Sequence, residues 1–375
     1  MSHQVISLFI PSVHGGGAEK AMLVFAAELV KRGFGVDLVV AKFQGPHVSS
    51  IPQGVRVVDL QSSRMLKAIP RLVQYFAETR PQAVYSTITH ANIAAVWAAR
   101  RAGLTAPVIL RQSNAPRAET KSSMGRYIAS RIIPFAYPHA SGIIAVSDGV
   151  RSELLELNRH LARLTKVVPT PVLTKEVQQL GAENPSHPWL QDSGAPVILS
   201  AGRLEYHKGM LDLIRAFRRV RDIRPARLVI LGEGSERGRL ESEVARLGLS
   251  QDVSLPGFSS NPFSFMKRAS VFVLASHYEG LPNVLIQALA FGTPVVATDC
   301  RSGPAEILDG GRLGRLVRVG NIGELAAAIE QSLDSPRQEL GQKEVWQRYG
   351  AEHATTQYLA IAGLPATSRA TTPAT

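Results

Sequence analysis

Residues Ala275–Asp299 read ASHYEGLPNVLIQALAFGTPVVATD, and this stretch decides the fold. It follows an apolar, β-branched run, Ser270-Val271-Phe272-Val273-Leu274, whose unbroken hydrophobicity is that of a buried parallel strand. The chain then turns through Glu279-Gly280-Leu281-Pro282-Asn283 and enters an apolar helical segment, Val284 to Phe291. Gly292-Thr293-Pro294 closes the helix and Val295-Val296-Ala297-Thr298 starts another strand, so the unit is β-loop-α-β. Pro282 suits the first helical turn, where its missing N–H would be unpaired anyway. The free amides of that turn lie at the positive end of the helix dipole and can hold an anion. A diphosphate needs donors of that kind, and a sugar hydroxyl needs an acceptor like the neighbouring Glu279 carboxylate.

The preceding segments repeat the alternation. Val197–Ala201 reads as a strand, Gly202-Arg203-Leu204-Glu205-Tyr206-His207-Lys208-Gly209 as a loop, and Met210 to Val220 as a helix. Arg203 and Lys208 stand five apart in this glycine-bounded loop. A planar fork and a point charge at the end of a strand suit a diphosphate. The alternative is a surface basic pair in a chain with 42 Lys and Arg. Further on come a strand at 227–231, a helix at 235–247, a short strand at 253–255, a turn at Pro256-Gly257-Phe258 and a helix at 321–334.

The segments EGLPNV (279–284), GTPVV (292–296), SGPAE (302–306) and G-R-x(4)-K-G (202–209) together resemble retaining GT-B glycosyltransferases of the "glycosyl transferases group 1" type, family four. In that family an E-x(7)-E pattern spans the loop and helix. Glu279 matches its first position, and Gln287 stands where a second Glu is usual. The resemblance implies that Glu279, Gly280, Leu281, Pro282 and Asn283 meet the sugar, that Arg203, Lys208 and Gln287 meet the nucleotide and its phosphates, and that the turn at 256–258 lies against the base. It is sharpest over 202–306 and thinner in the first half.

That first half opens with a strand at 5–10, a loop through His14-Gly15-Gly16-Gly17, and a helical pattern from Ala18 to Lys31. Strand, glycine loop, helix brings amides near a phosphate, so Gly16 and Gly17 are candidate phosphate contacts; the alternative is a turn that needs glycine for sterics alone. The loop is not GxGxxG, and no acidic residue about 20 positions on completes a dinucleotide fingerprint. GGGAEK resembles the glycine loop that opens the same transferases. Strands are expected at 35–41, 55–59, 82–86, 107–111 and 142–146, and helices at 65–79, 91–102, 121–137 and 148–157. Such alternation argues for a parallel sheet with helices on both faces, and ligands bind beyond the carboxyl ends of its strands.

Two loops there carry useful chemistry. His90 ends Thr87-Ile88-Thr89-His90 and is either a core or capping histidine or, as the resemblance implies, a contact to the sugar or acceptor. Arg111 and Asn114 are further candidate acceptor contacts. Arg117 to Tyr137 interleaves basic and large apolar residues, a pattern shared by a membrane-interface helix and by an ordinary helix with one face in the core. Val167 to Val172, with Pro169 and Pro171, resembles the family's hinge strand.

Composition bounds the rest. The 375 residues suggest two or three domains, and 45% hydrophobic content lets each bury a core. Cys300 is the one cysteine, so no intrachain disulfide forms; a reducing cytoplasm fits. No run approaches the ~18 apolar residues of a membrane span. The net charge of +12 is uneven: residues 1–170 hold 20 Lys/Arg against 9 Asp/Glu, and residues 171–375 hold 22 against 21. The basic half reads as a solvated surface or as a face for an anionic membrane; nothing matches a nucleic-acid-binding module.

The expected architecture is α/β, GT-B: two Rossmann-like domains with parallel sheets facing across a cleft. An acceptor-binding domain takes 1–170, a linker 171–193, a nucleotide-sugar-binding domain 194–337, C-terminal helices packing back on the first domain 338–362, and a disordered tail 363–375. The resemblance implies retaining transfer of a hexose or N-acetylhexosamine from a nucleotide sugar, expected to be UDP-linked, to a lipid-linked saccharide or surface polysaccharide. Glu279, His90, Arg203 and Lys208 form the expected catalytic set, the two cations stabilising the leaving diphosphate. No Asp-x-Asp occurs, so neither a metal nor another cofactor is expected. The expected location is cytoplasmic, peripheral on the inner face of the plasma membrane. The alternatives are a nucleotide-sugar epimerase of the same fold and a non-catalytic sugar-nucleotide-binding protein.

Overall fold

The protein is described by a computed structural model over residues 5–13, 16–45, 48–114, 116, 123–191, 194–335 and 339–368. The chain forms two units, Met1–Val172 with Ala351–Thr375, and Leu173–Gly350.

The first unit is built on β1 (Val5–Ile10), β2 (Gly35–Val40), β3 (Val55–Asp59), β4 (Ala83–Thr87), β5 (Val108–Gln112), β6 (Gly142–Ala145) and β7 (Thr165–Val167). All pair in parallel, in the order β3-β2-β1-β4-β5-β6-β7. Every residue of β4, β5 and β6 is buried, including the polar Ser86-Thr87 and Arg111-Gln112 at the carboxyl ends of β4 and β5. The seventh strand lies at 165–167 rather than along the hinge stretch 167–172, since Pro169 and Pro171 lack the N–H a ladder requires.

The second unit holds β8 (Val197–Ala201), β9 (Arg227–Leu231), β10 (Val253–Gly257), β11 (Val271–Leu274), β12 (Val295–Thr298) and β13 (Arg315–Val317), again parallel, in the order β10-β9-β8-β11-β12-β13. Its core joins Ile198, Ile230 and Val273 of the sheet to Leu213, Phe217 and Ile329 of the helices. Both strand orders reverse direction of growth after the first three strands, which places a topological switch point beside β1 and beside β8.

The segment between the sheets is partly ordered: Lys175–Ala182 is a helix capped by Thr174 Oγ1, which accepts from the Val177 N–H at 3.2 Å. The C-terminal helices separate. Glu339–Tyr349 belongs to the second unit, where Trp346 Nε1 donates to the Ala290 carbonyl at 2.8 Å. Ala351–Ile361 belongs to the first, where Tyr358 packs edge-on against Phe25.

Composition alone made the tail from 363 look unstructured, yet its first part is held by backbone groups. The Ser368 N–H donates to the Arg32 carbonyl at 2.9 Å, and Arg32 Nη1 donates to the Ala366 carbonyl at 3.2 Å. Residues 369–375 lie outside the described residues, as do 117–122 of the basic-apolar segment and His14 and Gly15 of the glycine loop. Further along that segment, in the helix Ser123–Ala136 and just beyond it, Ile133 and Tyr137 are core residues and Phe135 is exposed. No helix among the described residues is long and apolar enough to cross a membrane.

Candidate functional site

In the second unit, two loops at the carboxyl ends of adjacent strands bring the expected residues together. β8 runs into Gly202–Gly209, and β11 runs into Ala275–Pro282. Gly209 makes the junction possible. Its φ is +64°, and a Cβ there would collide with the Ala275 carbonyl. The His277 N–H donates to the His207 carbonyl at 2.7 Å and fastens the loops further. Lys208 Nζ then donates to Glu279 Oε1 at 2.7 Å, and Ser276 Oγ donates to the same oxygen at 2.7 Å. Arg203 is more open and pairs with Glu205 Oε1 at 2.8 Å.

Between these charges the His207 ring stacks on Tyr278 with centroids 4.8 Å apart. Its Nδ1 is 3.3 Å from Glu205 Oε2 without hydrogen-bond geometry. Burial, reinforced by the Lys208 charge, lowers its pKa to about 4, so the ring is neutral near pH 7. Burial, and after it the Glu279 charge, pushes the Cys300 thiol up to about 12, which leaves it an inert apolar group.

The helix of the organising stretch is Asn283–Ala290, with Pro282 as its N-cap rather than inside the first turn. Its first turn contains no acidic residue, so no carboxylate of its own takes the amide end. Gly303, with φ +90°, packs against Pro282 and the Gly280 carbonyl and sets the SGP turn beside the EGLP turn. Gln287 is 7% exposed, so it does not face bulk solvent.

In the first unit the expected residues divide. His90 lies in the first turn of the helix Thr89–Arg101, at the carboxyl end of β4. It lines a cavity of about 280 Å³ with Ser12, Lys42, Gln44, Ser62 and Met65. Its ring reaches solvent, yet the protein mass around it lowers its pKa by desolvation. Arg111, in contrast, is 2% exposed and does not present its guanidinium to a ligand. Nη1 donates to Thr87 Oγ1 at 3.1 Å, Nη2 to Thr170 Oγ1 at 2.7 Å, and Nε to the Tyr358 hydroxyl at 3.1 Å. The reading of Arg111 as an acceptor contact is therefore corrected: its charge is spent on three internal hydroxyls. Asn114 is exposed, and its carbonyl accepts from Gln112 Nε2 at 2.8 Å.

Gly16 is the N-cap of the helix Gly17–Lys31, and a Cβ on it would collide with the Glu19 carboxylate. The anion position at that helix end is filled by the chain's own side chain, so a phosphate at Gly16 and Gly17 would have to displace Glu19.

Ser276, Glu205 and His207 complete the second-unit site and were given no role from the sequence, although all three stand in the two loops already singled out.

Comparison with known proteins bears on the family and on the fold. The model of "Glycosyl transferases group 1" matches residues 183–353, and that of "Glycosyltransferase Family 4" matches residues 15–176. The two models, one on each half of the chain, together support a group 1 glycosyltransferase. It is 38% identical over 187 residues to an uncharacterized glycosyltransferase of Methanocaldococcus jannaschii, covering 48% of this chain and 46% of that protein. It is 30% identical over 217 residues to the N-acetylgalactosamine-N,N'-diacetylbacillosaminyl-diphospho-undecaprenol 4-alpha-N-acetylgalactosaminyltransferase of Campylobacter jejuni, covering 58% of this chain and 57% of that one. The chain thus spans about half the length of these relatives. HepE of Anabaena, solved in complex with UDP and glucose, superposes with a TM-score of 0.79 at 20% identity, over 96% of this chain and 100% of that one. The fold is GT-B.

Proposed function

We propose that this protein transfers a hexose or N-acetylhexosamine from a UDP-sugar to a saccharide carried on a lipid diphosphate, with retention at the anomeric carbon. The observation that carries the reading is the Lys208–Glu279 pair, set with Arg203 at the carboxyl ends of β8 and β11. Support for the donor and acceptor classes comes from the UDP and glucose in the HepE structure and from the diphospho-undecaprenol in the name of the Campylobacter relative.

The second unit holds the donor. Arg203 and Lys208 contact the diphosphate, Gln287 the ribose, and Glu279 with Gly280–Asn283 the sugar. As the glycosidic C–O bond breaks, its electron pair moves to the diphosphate, where two cations and the first amides of the helix Asn283–Ala290 stabilise it. The acceptor hydroxyl attacks the same face and gives its proton to the leaving phosphate oxygen. Glu279 is engaged by Lys208 and Ser276 and serves as an acceptor for sugar hydroxyls. The first unit takes the acceptor at His90, and its basic surface rests on anionic lipid at the inner face of the plasma membrane.

The test is incubation with UDP-glucose, UDP-galactose and their N-acetylamino counterparts plus an undecaprenyl-diphosphate-linked saccharide, with the product's anomeric configuration read by NMR. Transfer with an α-linked product is expected. An inverted product would remove the retaining assignment. Absence of both transfer and UDP-sugar binding by thermal shift would overturn the reading.

A further inference from the structure

The turn that carries His90 contains Ile88 at φ +75° and ψ 134°, and Ile88 is the N-cap of the following helix. A β-branched residue is sterically penalised there, so the turn persists only if its surroundings impose it. They do so on both sides. Before Ile88, Ser86 Oγ donates to Asn92 Oδ1 at 2.7 Å, and Thr87 Oγ1 accepts from Arg111 Nη1 at 3.1 Å. After it, Thr89 Oγ1 accepts from Gln112 Nε2 at 3.0 Å, and the Ile88 carbonyl accepts from the Asn92 N–H at 2.9 Å. Gln112 is fixed in turn, since the Tyr137 hydroxyl donates to its Oε1 at 2.5 Å and accepts from Asn92 Nδ2 at 3.1 Å. Ser86, Thr87, Asn92, Gln112 and Tyr137 are fully buried. Such a network rigidifies when satisfied and is costly when broken. It stands at the carboxyl ends of β4 and β5, the sheet edge where ligands bind.

We infer that Arg111 and Gln112 are positioning residues for His90: they clamp the strained Ile88 turn so that the helix Thr89–Arg101 presents His90 to the cavity. This rests on the reading of His90 as a contact to sugar or acceptor, and extends it to side chains that no ligand reaches. The two donors come from consecutive residues of one strand and grip hydroxyls on either side of the strained peptide. Among the described residues, Lys42 is the other titratable side chain that lines the cavity.

The test uses the full chain, labelled at histidine, with Gln112→Ala, Arg111→Met and Arg111→Lys, and His90→Ala as control. Three readouts are taken: the NMR titration midpoint of His90, turnover of UDP-glucose and UDP-N-acetylglucosamine, and UDP affinity. Gln112→Ala and Arg111→Met are expected to raise the His90 midpoint toward the ordinary imidazole value. They should lower kcat by about 10- to 100-fold, the scale of a misplaced catalytic contact, and leave UDP affinity unchanged. Arg111→Lys should restore part of both effects. Where the alanine variant does not fold, Gln112→Glu keeps the acceptor for Tyr137 and removes the donor to Thr89. Folded clamp variants with an unchanged midpoint and kcat would overturn the positioning role, while inactivity of His90→Ala would leave the reading of His90 standing. Full turnover by His90→Ala would overturn both.

Discussion

Lys208 Nζ donates to Glu279 Oε1 at 2.7 Å, so the cation expected for the diphosphate and the carboxylate expected for the sugar form one pair, 71 residues apart in the chain. The pair does not exhaust either partner. An ammonium has three N–H donors and a carboxylate about four lone-pair sites, of which the Glu279 Oε1 bonds from Lys208 and Ser276 take two. One lysine can therefore hold the carboxylate expected for the sugar in place and still have donors left for a phosphate oxygen.

Removing the two cations should thus have different consequences for stability and the same consequence for transfer. Lys208→Ala leaves a carboxylate that is 9% exposed with the Ser276 hydroxyl alone, and should destabilise the second unit by about 1–3 kcal/mol. Arg203 is 63% exposed and bridges Glu205 at the surface, so Arg203→Ala should alter stability by no more than about 1 kcal/mol. Both should lower transfer about 30- to 1,000-fold, the effect of ~2–4 kcal/mol of lost transition-state stabilisation. Near-normal turnover in both would remove the phosphate assignment.

Acid should weaken the second unit through His207. Its folded pKa, about 4, lies below the ordinary 6.5, so between those values the unfolded chain holds a proton that the folded chain does not. Stability contributed by the neutral ring is complete above pH 6.5 and is lost as pH falls toward 4, with a slope of at most about 1.4 kcal/mol per pH unit. Glu243, held near 2 by Arg246 and Arg215, acts in the same direction but at lower pH. His207→Phe keeps a ring against Tyr278 and cannot titrate. Urea unfolding at pH 7.5, 6 and 4.5 should show a flatter decline for this variant. Parallel declines would exclude His207 as the source.

The central strands were legible because burial on both faces writes itself as an unbroken apolar run, as in Val271–Leu274 and Val295–Thr298. Edge elements were not. Arg315–Val317 is a three-residue strand at the sheet's rim that opens on an exposed arginine, and it gives no such run. Arg203, Lys208 and Glu279 were legible as loop chemistry at strand ends, but their pairing depends on Gly209 meeting the Ala275 carbonyl, a contact no local pattern encodes. Arg111 shows the limit most clearly. Its position at the end of β5 suits a ligand, yet its partners Thr170 and Tyr358 are 59 and 247 residues away. In the glycine loop, likewise, nothing in the spacing says that the Glu19 carboxylate lies beside Gly16 at the helix end.

The basic first half should bind anionic vesicles in a salt-sensitive manner. Residues 1–170 carry +11 and the remainder +1. Exposed charges are screened beyond about 8–10 Å at ordinary ionic strength, so binding should be strong at low salt and fall as salt rises. Co-sedimentation of the full chain with vesicles containing phosphatidylglycerol, with and without charge reversal at exposed Lys42, Arg64 and Lys67, measures this. Equal binding to neutral vesicles, indifferent to salt, would exclude an electrostatic surface.

Gln287 should contribute to donor binding through the ribose, and a glutamate there should serve as well or better. The residue is 7% exposed on a helix whose first turn abuts the Glu279 loop, so it is not a solvent-facing glutamine. A ribose diol offers donors and acceptors. A carboxylate only accepts, whereas an amide accepts and donates, so the Gln287 carbonyl can still take one hydroxyl proton. What the amide lacks is charge assistance, since hydrogen bonds to charged groups contribute ~1.5–3 kcal/mol against about 1 for neutral pairs. It also keeps a second negative charge away from the diphosphate. Titration calorimetry with UDP-glucose and UDP-N-acetylglucosamine should show Gln287→Ala binding several-fold more weakly and Gln287→Glu binding as tightly or more so. Glu279→Gln, which alters the sugar contact, should reduce transfer more than it reduces UDP affinity. If Gln287→Ala binds both donors as tightly as the parent while remaining folded, the side chain serves only the packing of its helix, and the second position of the E-x(7)-E pattern has no ligand role in this protein.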